Sequence, residues 1–380
     1  MKKNIPYGHQ WIDEKDIKEV GRALRHDFIT QGPKVEEFEK AVANYCGAKY
    51  AVAVSSGTAA LHSAYAVANI KEGDEVITSP LTFVATSNAV VYCGGKPVFV
   101  DIKEDTLCID PKEIEKKITK RTKAIVPVDF AGHPCDYDEI LKIAKKHKLL
   151  VIEDAAHSMG SKYKGRRVGS LADMTILSFH PVKTITTGEG GMVLTDNRIL
   201  YEKLKVFRHH GITKKPEQGK WYYEIKELGY NYRLTDFQCA LGLSQLKKID
   251  RFIRRRREIV KKYNDAFKNI RELITPAEKD YISSAFHIYV IQLHLDRLKT
   301  GRKEIFEALQ KAGIGVQVHY VPVHLQPFYM NKFGYKKGGF PIAEKYYEKA
   351  ITLPLFPKMT NKDVKDVVNA VKRTIDCYKI

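Results

Sequence analysis

Apolar positions along the chain follow two rhythms. Near the start they fall at helical spacing. Ile17, Val20 and Leu24 follow a capping Asp13, and Val35, Phe38, Val42 and Tyr45 repeat the stripe until Cys46-Gly47 ends it. Between these helices, F-I-T-Q-G-P breaks the chain into a loop carrying Thr30, Gln31 and Gly32. From Tyr50 the pattern changes to short apolar runs separated by helical stretches. The runs 50–54, 76–77, 97–100, 124–128 and 149–152 read as strands. Helices are predicted from Gly57, through T-S-N to Tyr92, from D-P-K-E-I, and from Tyr137 to His147. Strands alternating with helices at this spacing predict an α/β fold with a mostly parallel sheet covered on both faces. Ligands of such sheets gather at the carboxyl ends of the strands, which places Ser56, Phe83 and Asp154 near one another.

The second half carries longer helices. A helix at 198–207 leads into R-H-H-G and a Lys-rich loop through Gly219 and Trp221. Thr235 and Gln238 form a capping box for a long helix predicted to reach Phe267. Its four-arginine run, 254–257, is expected to face mostly outward, because Ile253, Val260 and Tyr263 already supply an apolar stripe. Near 273–276 the character shifts to a smaller α+β unit. Strands are predicted at 287–295 and in G-V-Q-V-H-Y-V-P-V-H, with helices at 303–312, ending at 346–350, and at 360–378. The expected division is therefore 1–270, an N-terminal arm and large domain that includes the long linking helix, and 271–380, a small C-terminal domain.

Composition narrows the class. With 380 residues, 44% of them hydrophobic, the chain can bury a large core or two unequal ones. No run of eighteen apolar residues offers a membrane span, and M-K-K-N-I-P-Y-G-H-Q-W lacks the apolar centre of a signal peptide. The six cysteines are scattered without a C-x-x-C pair. They read as small apolar residues in a reducing compartment, so a cytoplasmic protein with no metal site is expected. Sixty-four basic against forty-five acidic residues give a net charge of +19. The basic residues are spread along the chain and no nucleic-acid module is present, so no nucleic-acid partner is expected. Solvated helix faces account for the excess, and so would a pocket for a diphosphate-bearing substrate.

The chemistry concentrates in S-F-H-P-V-K-T-I-T-T-G-E-G-G, residues 178–191. A lysine whose amine must meet a carbonyl suits Lys183, provided desolvation or a nearby cation keeps it partly neutral. The surrounding glycines let the backbone pass close to whatever it holds. A loop lysine is otherwise a solvated surface charge. Asp154 follows an apolar strand in V-I-E-D-A-A-H-S, where a carboxylate needs a partner: a protonated pyridine nitrogen, a helix cap or a salt bridge. His157 braces a ligand or packs, and Phe83 stacks on a flat ring or fills core. The turn S-S-G-T, where a strand enters a helix, offers free N–H groups with Ser56 and Thr58 hydroxyls: an anion site or a simple cap. Asn231 and Arg233, before the capping box, suit phosphate or carboxylate contacts.

Taken in order, T-Q-G-P, S-S-G-T-A-A-L, T-F-V-A-T-S-N, E-D-A-A-H-S, the Lys183 loop, G-Y-N-Y-R-L-T-D-F-Q and V-H-Y-V-P-V-H resemble the DegT/DnrJ/StrS family of nucleotide-sugar aminotransferases. These are fold-type I enzymes dependent on pyridoxal 5'-phosphate (PLP). The motifs span nearly the whole chain. The resemblance implies a large domain with a seven-stranded, mostly parallel sheet flanked by helices, plus the small α+β domain. It implies catalytic roles for Lys183 (Schiff base and proton shuttle), Asp154 (pyridinium partner) and His157. Phe83 would stack on the ring, while Thr58, Ser178 and backbone groups at Gly57 and Ala59 would hold the phosphate. Asn231 would reach the phosphate of a neighbouring subunit's cofactor, because family sites form at a homodimer interface. Tyr7, Phe28, Ile29, Thr30, Ser56 and Ser178 would contact substrate, with Asn231, Arg233, Gln317, His319 and Tyr320.

The family branch most similar aminates C4 of a UDP-4-keto-6-deoxy-N-acetyl sugar in pseudaminic-acid-type surface-glycan biosynthesis, with L-glutamate as donor. Sugar 3-dehydratases of the family carry histidine where Lys183 stands, so transamination is implied. Amination of a GDP- or dTDP-linked keto-sugar or of a cyclitol is the alternative within the fold. A non-catalytic relative is the alternative outside enzymology, and the presence of both Lys183 and Asp154 argues against it.

Overall fold

A computed structural model describes residues 4–380; the first three residues of the predicted arm lie outside the described residues. The central sheet has seven strands in the order Tyr50–Val54, Gly191–Thr195, Met174–Ser178, Leu150–Asp154, Thr122–Val126, Glu75–Thr78, Lys96–Phe99. All neighbours are parallel except Gly191–Thr195, which runs antiparallel to both strands beside it. Its reversal has a local cause: the chain leaves Ser178 and returns at Gly191 directly opposite, with only the Lys183 loop between. Every residue of Glu75–Thr78 and Gly191–Thr195 is buried, as expected of strands covered on both faces.

Caps and stripes fix the helices. Asp13 accepts from the Lys15 and Asp16 N–H groups and the Asp16 carboxylate returns to the Asp13 N–H, which starts Glu14–Leu24. Gly47, left-handed at φ +78°, closes Pro33–Cys46, whose Phe38 and Val42 are wholly buried. Each such side chain contributes about 1.5–3 kcal/mol by leaving water. One apolar cluster joins Phe38 and Val42 to one face of the sheet, and a second joins Gly57–Val67 to the other. A third cluster is built from Ile259–Phe267 and residues 273–375, around the three-stranded sheet of Leu273–Ile274, Tyr289–Leu293 and Ala350–Leu353. Ile5, from the N-terminal arm, packs into it.

Three expectations are revised. The long helix is two helices, Asp236–Leu246 and Ile249–Phe267, with a break at 247–248. Among the described residues the stretch 315–324 makes one sheet-like bridge, Gln317 to Thr352, and ends in the short helical turn Val323–Leu325, because it turns along the site instead of joining the small sheet. Within the arginine run, Arg256 points inward and is 1% exposed. Its Nη1 donates to the carbonyls of His287 (2.9 Å), Leu355 (2.9 Å) and, more weakly, Phe286 (3.4 Å). Position 256 lies on the same stripe as Ile253 and Val260, and these carbonyls supply the partners a buried guanidinium requires. Burial lowers its pKa to about 10, so it stays charged. The remaining arginines face outward or sideways: Arg257, for example, grips Glu278 with both Nη atoms at 2.6 and 3.2 Å.

Among the described residues no helix is long and apolar enough to cross a membrane. The six cysteines are all free: four are buried, Cys93 is half-buried and Cys377 is exposed.

Candidate active site

The loop 178–191 is held rigidly at its base. Phe179 donates its N–H to Gly190 O at 2.8 Å, while Thr186 Oγ1 and the Thr187 N–H both donate to Phe179 O. Gln238 Nε2 ties the Glu189 carbonyl to the next helix at 2.9 Å. Lys183 projects from this frame into a cavity of about 660 Å³ at the carboxyl ends of the strands. Among the described residues no hydrogen bond or ion pair engages its amine, and desolvation lowers the amine's pKa to about 8, partly offset by the Asp154 charge.

Asp154, the last residue of its strand, lines the same cavity and is 5% exposed. Thr86 Oγ1–H donates to Oδ2 at 2.7 Å and the Ala156 N–H to Oδ1 at 3.2 Å. Burial still raises its pKa, with those bonds and Lys183 opposing the rise. This carboxylate is therefore under-neutralised and suits a cationic N–H. His157 lies beside it, buried, with Nε2 at 3.1 Å from the Tyr320 hydroxyl. Desolvation first, and then the Lys183 and His319 charges, hold its imidazole neutral.

The helix Gly57–Val67 aims its N-terminus at this cavity. Ser56, Gly57, Thr58 and Ser178 line the wall there. Two glycines let the segments meet: a Cβ on Gly57 would lie 3.0 Å from Ser178 Cβ, and one on Gly191 only 2.3 Å from Ser56 O. Phe83 is 58% exposed, so it is not core; its ring forms one wall of the cavity, 6.0 Å centroid to centroid from Tyr320. An unpaired amine, an under-neutralised carboxyl, a helix N-terminus and an open aromatic face together fit a flat pyridine aldehyde that carries a phosphate.

The predicted residues divide into two groups. Lys183, Asp154, His157, Gly57, Thr58, Phe83 and Ser178 share the cavity, with Tyr7, Ser56, Gln317, His319 and Tyr320. Ala59 does not reach it, because its N–H donates to Ser56 Oγ at 3.1 Å as an ordinary cap. Phe28, Ile29, Thr30 and Asn231 are exposed and lie away from it. Arg233 lines a separate hollow with Gln31 and Gly32, its Nη1 2.8 Å from His209 Nδ1. These outlying residues still cluster: Thr30 bridges to Thr235, the Asp236 N–H donates to Ile29 O, and Asn231 bridges to His209.

Sequence reasoning missed Thr86, His287 and Gln326 on the cavity wall. Thr86 had a signal, since T-F-V-A-T puts it one helical turn after Thr82 and facing the same strand ends. His287 had none, because it comes from a distant segment, just before the strand Tyr289–Leu293.

The comparisons agree with this geometry. The sequence pattern of the DegT/DnrJ/EryC1/StrS aminotransferase family matches residues 10–372. A Campylobacter jejuni UDP-4-amino-4,6-dideoxy-N-acetyl-beta-L-altrosamine transaminase is 44% identical, covering 99% of this chain and 98% of that protein. Among solved structures, Helicobacter pylori PseC, an aminotransferase involved in the biosynthesis of pseudoaminic acid, superposes with a TM-score of 0.93. It is 37% identical, covering 99% of this chain and 100% of its own. A Streptococcus pneumoniae protein described as a sugar aminotransferase, solved in its PLP form, gives 0.93 at 33% identity, covering 98% and 99%.

Proposed function

Because this chain belongs to the DegT/DnrJ/EryC1/StrS family of PLP-dependent aminotransferases, we propose that it transfers the amino group of L-glutamate to C4 of a UDP-4-keto-6-deoxy-N-acetylhexosamine. The product would feed surface-glycan sugars of the pseudaminic acid type. One observation carries the reading: an unpaired amine at Lys183 and an under-neutralised carboxyl at Asp154 share one cavity beneath the helix N-terminus at Gly57.

When bound, PLP supplies an electron sink for the carbon that loses or gains a proton. The chain's own residues do the rest. Lys183 would hold the cofactor through Nζ, and its amine would carry the proton to and from the reacting carbon. With a pKa of about 8, about a tenth of this amine is neutral at pH 7, far more than for a solvated lysine. Asp154 keeps a proton on the ring nitrogen, and Thr86 aims Asp154. Thr58, Ser178 and the Gly57 N–H would hold the phosphate, and Phe83 and His157 would hold the ring. Tyr7, Gln317, His319 and Tyr320 meet the sugar nucleotide at the mouth.

The second cluster of predicted residues acts across a homodimer in this reading. Phe28, Ile29, Thr30, Asn231 and Arg233 reach the partner's cavity, with Asn231 on its phosphate and Arg233 on a glutamate carboxylate. The exposed Trp221, Tyr223, Ile225 and Leu228 beside them supply the apolar area such a contact needs. A division into a large unit to residue 270 and a small unit beyond it, and a cytoplasmic location suited to six free cysteines, belong to the same proposal.

Mass spectrometry of products tests the substrate. Purified protein with glutamate and a panel of UDP-, GDP- and dTDP-linked 4-keto sugars should convert the UDP-N-acetyl substrate to a 4-amino product. Conversion of only a GDP- or dTDP-sugar would overturn the choice of nucleotide.

A further inference from the structure

The proposed mechanism leaves one buried imidazole on the cavity wall without a task. His287 lines the cavity behind His157, with ring centroids 4.4 Å apart and planes tilted by 45°. Its backbone is clamped from both sides: its N–H donates to Ala131 O at 3.0 Å and its carbonyl accepts from Arg256 at 2.9 Å. The turn that brings the two histidines together depends on Gly132, at φ +96°, where a Cβ would lie about 3.1 Å from both His157 O and His287 N. Ser161 and Ser284 both donate to the Gly132 carbonyl and close the same junction. So much backbone organisation around two rings points to a role for the contact itself.

The ring nitrogens show what the role is. Nδ1 of His157 and Nδ1 of His287 are both buried without a hydrogen-bond partner among the described residues. Burial keeps both imidazoles neutral, so each ring carries one N–H and one lone pair. Burial also keeps the Tyr320 phenol protonated, and that phenol meets His157 Nε2 at 3.1 Å. If Tyr320 O–H donates there, the His157 proton must sit on Nδ1. The unpartnered Nδ1 of His287 is then the acceptor at hand. Bringing the two nitrogens into line takes a movement of the His287 ring away from the tilted, 4.4 Å arrangement of the two rings.

We propose that His287 is a positioning residue: it accepts the Nδ1 proton of His157 and so fixes the tautomer and ring angle that His157 presents to Tyr320 and the cofactor edge. The chain runs from Tyr320 O–H to His157, then from His157 Nδ1–H to His287, leaving the His287 Nε2–H as a donor toward the cavity. The inference rests on the proposed placement of His157 beside the cofactor. Its test separates the two, because the tautomer can be measured without any reaction.

The experiment is nitrogen-15 NMR of histidine-labelled full-length protein, with and without PLP. In both states His157 should be protonated at Nδ1, with a scalar coupling across the hydrogen bond to His287 Nδ1. His287→Leu should mix the His157 tautomers and lower kcat about tenfold, the loss expected from one buried hydrogen bond, while the KM for glutamate stays unchanged. His287→Asn, which keeps an acceptor near the Nδ1 position, should restore both. A wild-type His157 protonated at Nε2, or a His287→Leu enzyme matching wild type in tautomer and kcat, overturns the inference; the wild-type spectrum decides even if the variant fails to fold. An Nδ1 proton coupled to His287 in a protein that aminates no keto-sugar would defeat only the proposed function.

Discussion

Thr86 Oγ1 lies 2.7 Å from Asp154 Oδ2 and joins the first turn of one helix to the end of a neighbouring strand. This bond stabilises the ionised carboxylate against a burial that pushes its pKa upward. Thr86→Val removes the donor and nearly keeps the shape. Asp154 should then titrate higher, so the acid limb of the kcat/KM profile should move to higher pH. At neutral pH the loss should be about tenfold, the worth of one charge-assisted hydrogen bond. An unshifted acid limb would show that Thr86 has no hold on Asp154.

Asp154 also bears on stability. Its folded pKa is raised above the unfolded value, so the ionised form weakens the fold. Its stabilising contribution is present at acid pH and is lost as pH rises through the folded pKa. In the cofactor-free protein at pH 7, Asp154→Asn should therefore raise Tm while abolishing transamination. Calorimetry over a descending pH series checks the sign: the gain should shrink as pH falls through the folded pKa of Asp154.

Much of this site was legible in the sequence because its parts sit where strand-end chemistry must sit. Asp154 follows its strand, Ser56–Thr58 open a helix, and Lys183 stands in the turn between two strands. What the chain did not disclose depends on side chains meeting from distant segments. His287 and Arg256 looked like ordinary strand and helix residues, and only the packing against 131–132 and 355 shows their buried partners. Ala59 stands outside the cavity lining for a local reason, since its N–H goes to the cap at Ser56. Phe28, Ile29, Thr30, Asn231 and Arg233 matched family motifs but stand apart from the cavity of their own chain.

Gly191 tests the close approach beneath the phosphate turn. The added methyl of Gly191→Ala would lie 2.3 Å from Ser56 O and 2.7 Å from Gly57 N, both backbone atoms. Something must shift, at about 1–3 kcal/mol of stability. PLP affinity should fall as the turn moves, with activity partly recovered at high cofactor concentration. Fluorescence titration with PLP and a thermal melt would read the two effects separately, and unchanged affinity would place the phosphate elsewhere.

Arg256 tests the junction behind the site. Arg256→Met strips the His287 and Leu355 carbonyls of their shared donor in a buried setting. The cost should be about 2–5 kcal/mol in urea unfolding, because two buried acceptors lose their partner. A variant as stable as wild type would mean that water replaces the guanidinium.

The account depends most on Lys183 as the point of attachment. Borohydride reduction of the PLP-loaded protein, followed by peptide mass spectrometry, should find one equivalent of reduced cofactor on the peptide that contains residue 183. Lys183→Ala should be colourless and unlabelled. Label on another lysine, or a Lys183→Ala protein that still transaminates, would contradict it.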